Sequence, residues 1–326
     1  GRTSGGGWGG GTTYAIRSVE FSAPAQDTYY QIVSQGYNTE GNTRIYNMNN
    51  LTSTYGGGTS DQSEENGTGY NAAGIKADGN ITISGGTVTV TNSGAMSKSI
   101  KSKATVTIDG GTVDLTASGA MMVINSDASY SHGVKCQDYV QNGGDVTIKS
   151  SGIAGKGISS NNNITTNGGS LNVTATGAGQ YVGSNRYTTK GLKADNNVLL
   201  NAGTITVATT QNGAIAIRAH NNYTQGTSDG NGPTVVLSTQ GARLTNGSSS
   251  GGGMGGKTTG QGGAAKGIKA GYSESTSTWG GGTYYGTVTI NGGQIEVTTQ
   301  KDGGEGIEGK AGVYINGGNI YAKCYD

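Results

Sequence analysis

The stretch Gly74-Ile75-Lys76-Ala77, continued by Ile81-Thr82-Ile83-Ser84-Gly85-Gly86 and Thr87-Val88-Thr89-Val90, decides the fold because it returns. Ser99-Ile100-Lys101-Ser102, Val106-Thr107-Ile108-Asp109-Gly110-Gly111 and Thr112-Val113-Asp114-Leu115 repeat it in the same order. Anchors equivalent to Ile75 recur at Ile100, Val134, Ile158, Leu192, Ile217, Ile268 and Ile307, after 25, 34, 24, 34, 25, 51 and 39 residues. The basic period is 24–25, and the longer intervals carry insertions. Eight such units cover residues 72–326. A fixed period of this length marks a repeat architecture, in which each unit buries its apolar face only by stacking on the next.

Each unit holds three short runs, rich in Val, Ile and Thr, that alternate apolar and polar residues and are separated by turn residues; such runs are strands. They are too short and too close in sequence to pair within a unit, so each pairs in parallel with its equivalent one period on. This predicts an all-β fold, a right-handed parallel β-helix (a solenoid) of about eight coils spaced ~4.8 Å apart. Alternation turns Ile75, Ile81, Ile83, Val88 and Val90 inward and Lys76, Thr82 and Thr89 outward. The Gly-Gly pair between second and third runs supplies a corner where a Cβ would collide. A small inward column (Ala77, Ser102, Cys136, Ser160, Ala194, Ala219, Ala270, Gly309) reads as a crowded edge of the bore. Asn142, Asn167, Asn201, Asn291 and Asn316 form a second column, able to hydrogen-bond as a ladder. The third coil is one residue short between Val134 and Tyr139. Cys136 and Cys324 are expected to be reduced, buried and unpaired, since five coils at ~4.8 Å separate them by far more than the ~7 Å a disulfide spans.

Composition narrows the class. Gly makes up 64 of 326 residues, with two Pro and no Gly-X-Y period, which excludes collagen and disfavours helices. The formal charge of +1 argues against disorder and against nucleic acid as a partner. No apolar run reaches the ~18 residues of a membrane span. The Gly/Ser/Thr/Asn-rich make-up points to an extracellular or cell-surface bacterial protein. The chain opens Gly1-Arg2-Thr3, so any signal peptide is expected to have been removed.

Residues 1–70 lack the repeat and are expected to form a Gly-rich entry (Gly5–Gly11), an irregular N-terminal β cap and a polar linker (Gly56–Gly69). Runs near Tyr14–Phe21, Tyr29–Ser34 and Arg44–Asn50 look strand-like and are expected to pair onto the first coil. Residues 71–326 form the β-helix, whose coils are expected to continue beyond 326 in the parent protein. Insertions at 120–131, 177–189 and 239–264 are placed after third strands, and those at 222–233 and 271–286 after first strands. Ser248–Gly263 reads as a low-complexity surface loop.

The segments GIKADGNITISGGTVTV (74–90), KGLKADNNVLLNAGTITV (190–207), KGIKA (266–270) and GGEGIEGKAGVYINGG (303–318) resemble a bacterial family of carbohydrate-binding β-helix proteins, over about 250 residues. The resemblance implies a secreted or surface-attached β-helix akin in shape to pectate-type lyases. It implies binding of acidic plant polysaccharide such as polygalacturonate, sometimes cellulose, and bound calcium. Relatives often follow the last coil seen here with Tyr-Asp-Asp, opening another coil; the sequence ends at Tyr325-Asp326.

Three sets of residues are candidates for chemistry. The outward position after each anchor reads Lys76, Lys101, Lys135, Ser159, Lys193, Arg218, Lys269, Glu308. Ammoniums at ~4.8 Å repel by roughly 1 kcal/mol even in water, which nearby acids or a polyanion would offset; a linear polyuronate could lie along the stripe. The plain alternative is a solvated surface whose side chains splay apart. The insertions carry Tyr130, Tyr181, Tyr187, Tyr223, Tyr272, Trp279, Tyr284 and Tyr285, rings that suit sugar faces or that merely pack their own loops. For calcium the sequence offers Asp302, Glu305 and Glu308, which could equally pair with lysines; Asp61, Glu64 and Glu65 are the other acidic group. A lyase would need an acidic cluster beside a base, and none is visible; His132 and His220 lie in different coils. The expected function is non-catalytic binding of acidic polysaccharide, with or without the help of calcium. The alternatives are a structural surface protein, adhesin or filament subunit that associates end to end, and a pectate-type lyase.

Overall fold

The computed structural model describes residues 18–21, 29–32, 42–45, 48–55, 73–124, 127–245, 263–275, 282–301 and 303–325. The strands pair in parallel from coil to coil. The first strands of the eight units, from Ala73–Ala77 to Glu305–Gly309, form one eight-stranded sheet in sequence order. Its register places each anchor opposite the next: Ile75 pairs with Ile100, Ile100 with Val134, Val134 with Ile158, and so on to Ile268 with Ile307. The second and third strands stack likewise, as in Ile81 with Val106 and Val90 with Leu115 and Ile148. The result is a parallel β-helix solenoid, as the 25-residue period requires. The short third coil is absorbed at its corner, since Tyr139 pairs with both Val106 and Ile164.

The bore is apolar. Ile81, Ile83, Val88, Val90, Ile100, Val106, Ile158 and Leu200 are fully buried. Tyr139 and Tyr223 are buried too, each donating its hydroxyl to a Gln two residues on, Gln141 at 3.0 Å and Gln225 at 2.8 Å. Tyr223 is therefore a core residue paired with Val198 and Val288, not a loop ring as its place beside an insertion suggested. The corner glycines behave as expected. Gly144 has φ +73°, and a Cβ there would lie 2.7 Å from the carbonyl oxygen of Gly111 in the preceding coil. The Asn ladder is present on the outside of this corner. Asn201 donates to Asn167, Asn167 to Asn142, each at 2.8 Å, and Asn142 to Asp109 at 2.7 Å. A second ladder, Asn221 to Asn196 to Asn162 to Asp138, runs along the corner after the first strands.

Four further findings differ from the sequence-based expectation. The N-terminal strands Ser18–Phe21, Tyr29–Ile32, Asn42–Ile45 and Met48–Tyr55 pair in parallel as two further rungs, which reach the first coil at Ile81–Ile83 and Gly86–Asn92. The sixth-coil insertion lies after the second strand, Tyr223–Gln225, and before the third, Thr234–Thr239, so it replaces the Gly-Gly corner. Cys136 is buried and free, as expected; Cys324 is free but exposed. Its coil packs on only one neighbour among the described residues, so inward parity no longer means burial there, and Ile315 is likewise exposed. Finally, the first strand does not alternate throughout. A Cβ on Gly157 would lie 2.3 Å from Cγ1 of Val173, a core side chain, so the position before the anchor also faces the bore. That bend turns the residue two before the anchor outward, toward the insertions.

The entry at 5–11, the linker at 56–69, most of the low-complexity loop at 246–262, the acidic group Asp61, Glu64 and Glu65, and Trp279 and Asp302 lie outside the described residues.

Candidate functional site: a cationic wall with a roofed recess

The predicted column is assembled in register on the outer face of the first-strand sheet. Lys76 stands beside Lys101, Lys101 beside Lys135, Lys193 beside Arg218, and Arg218 beside Lys269. Ser159 interrupts the run between Lys135 and Lys193. The side chains are half-buried rather than splayed into solvent. Burial, and then the neighbouring lysines, hold the Lys76 and Lys101 amines below their ordinary range. Lys135 is lowered by burial and then by Lys193. Lys269 is brought down to about 8, chiefly by burial.

A second column of basic side chains, which the alternation rule hid, lies two residues before the anchors: Lys98, His132, Lys156 and Lys190, then, past Ile215, Lys266; burial keeps the His132 imidazole well below its ordinary range. Lys156 is 1% exposed, Lys98 4%. Both are held by backbone carbonyls. Lys156 Nζ donates to the oxygens of Ala154 and Thr188, and Lys98 Nζ to those of Met96 and Tyr130. Burial pushes both amines well down, and it brings Lys190 down to about 7 with help from Lys193. The sequence signal was available: KSIKS, KGISS, KGLKA and KGIKA carry a Lys two residues before each anchor.

Carboxylates answer this charge mainly at one end. Glu308 receives Lys266 at 2.7 Å, Lys269 at 3.8 Å and Lys310, while Glu305 also pairs with Lys266. Burial would raise the Glu308 pKa, but bonds from Lys266 and Lys310, with Lys269 nearby, bring it down to about 2. Elsewhere Asp195 pairs with Lys193 at 2.6 Å and Asp78 with Lys103 at 3.1 Å. Calcium asks for six to eight oxygens. Glu305 and Glu308 already serve lysine ammoniums, so these two do not fit a calcium site, and Asp302 is outside the described residues. Among the described residues no three His, Cys, Asp or Glu side chains group to hold a metal.

The aromatic candidates divide between two places. Tyr130 covers the wall: its ring lies 3.9 Å from the Lys156 ammonium, stacks on His132 at 5.1 Å and meets Tyr187 at 6.3 Å. Cation–π contact of this kind is worth about 2 kcal/mol when desolvated. Tyr187 and Tyr181 belong to the hairpin of Gln180–Val182 and Asn185–Tyr187, where Tyr181 faces Arg186. Tyr284 and Tyr285 sit on a separate hairpin, Tyr272–Ser275 with Gly282–Tyr285. There His220, Tyr272 and Tyr285 stack at 4.4 and 4.8 Å, and Tyr284 is exposed.

Beneath the hairpin of Met122–Ile124 and Asp127–Ser129, a recess of about 260 Å³ opens between the columns. Lys98, Lys101, Lys135 and Lys193 line it with Ser159 and Tyr130. A shallower depression around Gly230–Thr234 and Gly293 has no charged side chain.

A family model described as a carbohydrate-binding domain-containing protein matches residues 25–232. No curated protein and no solved structure gives a significant match. The matched span takes in the N-terminal strands from Tyr29–Ile32 onward, the first five coils and the first two strands of the sixth, hence the wall from Lys76 to Arg218.

Proposed function

The chain belongs to the family of carbohydrate-binding domain-containing proteins, and from the cationic wall we propose that it is a non-catalytic binder of anionic polysaccharide, polygalacturonate-like in charge density, acting outside a bacterial cell. One observation carries the reading: a column of half-buried cations stands in register on one sheet, backed by a column of buried amines, and between Lys98 and Lys193 few carboxylates face it. A flexible polyanion laid along the coils offsets this repulsion at every rung. Tyr284 and Tyr285, with the stack beneath them, supply flanking apolar contact for sugar C–H faces. The reading routes nothing through calcium, because Glu305 and Glu308 are held by lysines.

Replacing Lys101, Lys135 and Lys193 together by Gln tests it. Exposed ion pairs contribute roughly 0.2–1 kcal/mol each, so affinity for polygalacturonate at low salt falls about tenfold. Thermal stability stays level or rises slightly, since like charges are removed. The parent's affinity also weakens as added salt shortens the ~10 Å Debye length of 0.1 M solution. A triple variant that binds like the parent would reduce the wall to a solvated surface.

A further inference from the structure

Ser159 is the point at which the outer column loses its cation. It pairs in register with Lys135 on one side and Lys193 on the other. A long side chain there would fill the space between them; the serine leaves it open. Ser159 is 2% exposed, and the recess above it is walled by Lys98, Lys101, Lys135 and Lys193. On the flank, Lys98 is buried and anchored to carbonyl oxygens, so its position is set before any ligand arrives. Ala128, Ser129 and Tyr130 line the insertion side of the recess. The recess lining has no carboxylate among the described residues; Asp195 pairs with Lys193.

We propose that this recess is a pocket for one carboxylate-bearing sugar ring, distinct in action from the open wall that tracks a chain. The inference rests on the reading of the wall as a binder of anionic glycan and adds a discrete site to it. Size favours a sugar over a bare oxyanion. At ~30 Å³ per water the space holds about nine waters, the bulk of a single ring with its substituents, and an inorganic oxyanion fills only a fraction of it. The volume also falls below the ~300–1,000 Å³ of sites that enclose larger ligands. The chemistry matches: Lys101, Lys135 and Lys193 provide point charges for a carboxylate, Ser129 lies at the recess, and the Tyr130 ring and Ala128 methyl provide an apolar face.

Calorimetry with the whole chain at low ionic strength tests the pocket with four probes: galacturonate, galactose, inorganic sulfate and polygalacturonate. The expected result is saturable binding of galacturonate to one site, with galactose and sulfate each at least tenfold weaker. Ser159→Lys, which restores the residue type of the column, lowers galacturonate affinity tenfold or more and leaves polygalacturonate affinity within about threefold. Ser159→Gln serves as a neutral filler of similar length if the lysine variant does not fold. Failure of the parent to bind galacturonate, sulfate binding as tight as galacturonate, or galacturonate binding that survives both fillers would overturn the pocket. The wall reading would stand in each case, because it is judged on the polymer and on the Lys101, Lys135 and Lys193 variant.

Discussion

The midpoint of thermal unfolding rises as the pH is taken from about 6 to about 9. The cause is the row of buried amines. In the folded chain Lys190 titrates at about 7 and Lys269 at about 8, against an ordinary 10.5, and Lys98 and Lys156 are pushed well below that value. Between the folded and unfolded values the unfolded chain holds more protons, and stability climbs with pH wherever that is so. The Lys190 window therefore runs from about 7 to 10.5 and the Lys269 window from about 8 to 10.5. The opposite sign sets in above pH 9. The Cys136 thiol is raised by burial from 9.0 to about 12, and the Tyr139 and Tyr223 hydroxyls are raised above 10.0, so there the unfolded chain loses protons first. Stability is greatest near pH 9–10. A gain of a few kcal/mol corresponds to a rise of about 5 °C in a chain of this length. Lys156→Met should raise the melting temperature more at pH 6 than at pH 9, because replacing a buried cation by an apolar chain relieves most where the cation must be charged. A flat or falling profile between pH 6 and 9 would show that these amines are solvated.

Leu115→Asp should unfold the second coil and with it the cooperative stack. Leu115 is buried between Val90 of the preceding coil and Ile148 of the following one. Its register neighbours in the bore are apolar, and an unpaired buried carboxylate costs several kcal/mol. That is a large share of the roughly 5–15 kcal/mol that holds a domain folded. In a quasi-one-dimensional stack each coil rests only on its neighbours, so the damage passes to the coils on both sides. Thr91→Asp, on the exposed side of an adjoining strand, is the control and should change stability by no more than ~0.5 kcal/mol. Circular dichroism melts of both variants read the difference. A Leu115→Asp variant that melts with the parent would place this residue outside the core.

The repeat made most of the fold readable. Anchors spaced by 24–25 residues align without structural information, and they pair in the structure as aligned. The Gly-Gly corner and the Asn ladder were equally visible, because both depend on one residue type recurring at one place in the period. What alternation misread was the start of the first strand. A strict period of two turns Lys98, Lys156 and Lys190 toward the bore and leaves the intervening small residue outside. The backbone bends there instead, since Gly133, Gly157 and Gly191 each abut a core side chain, Ile148, Val173 and Val207 respectively. The second lysine column, and the recess it borders, followed from that bend. Insertions were harder still. Their lengths did not show that Tyr130 folds back over Lys156 while Tyr285 stacks on Tyr272 several coils away. Nor did they show that residues 226–233 replace a corner.

The most direct test of the cationic wall compares polygalacturonate with the same polymer after full methyl esterification, at one low ionic strength and pH 6. Esterification removes the charge and keeps the sugar backbone. The wall predicts affinity for the free-acid polymer at least tenfold higher than for the ester, with the difference shrinking as salt is added. Equal affinity for the two polymers at low salt would contradict it.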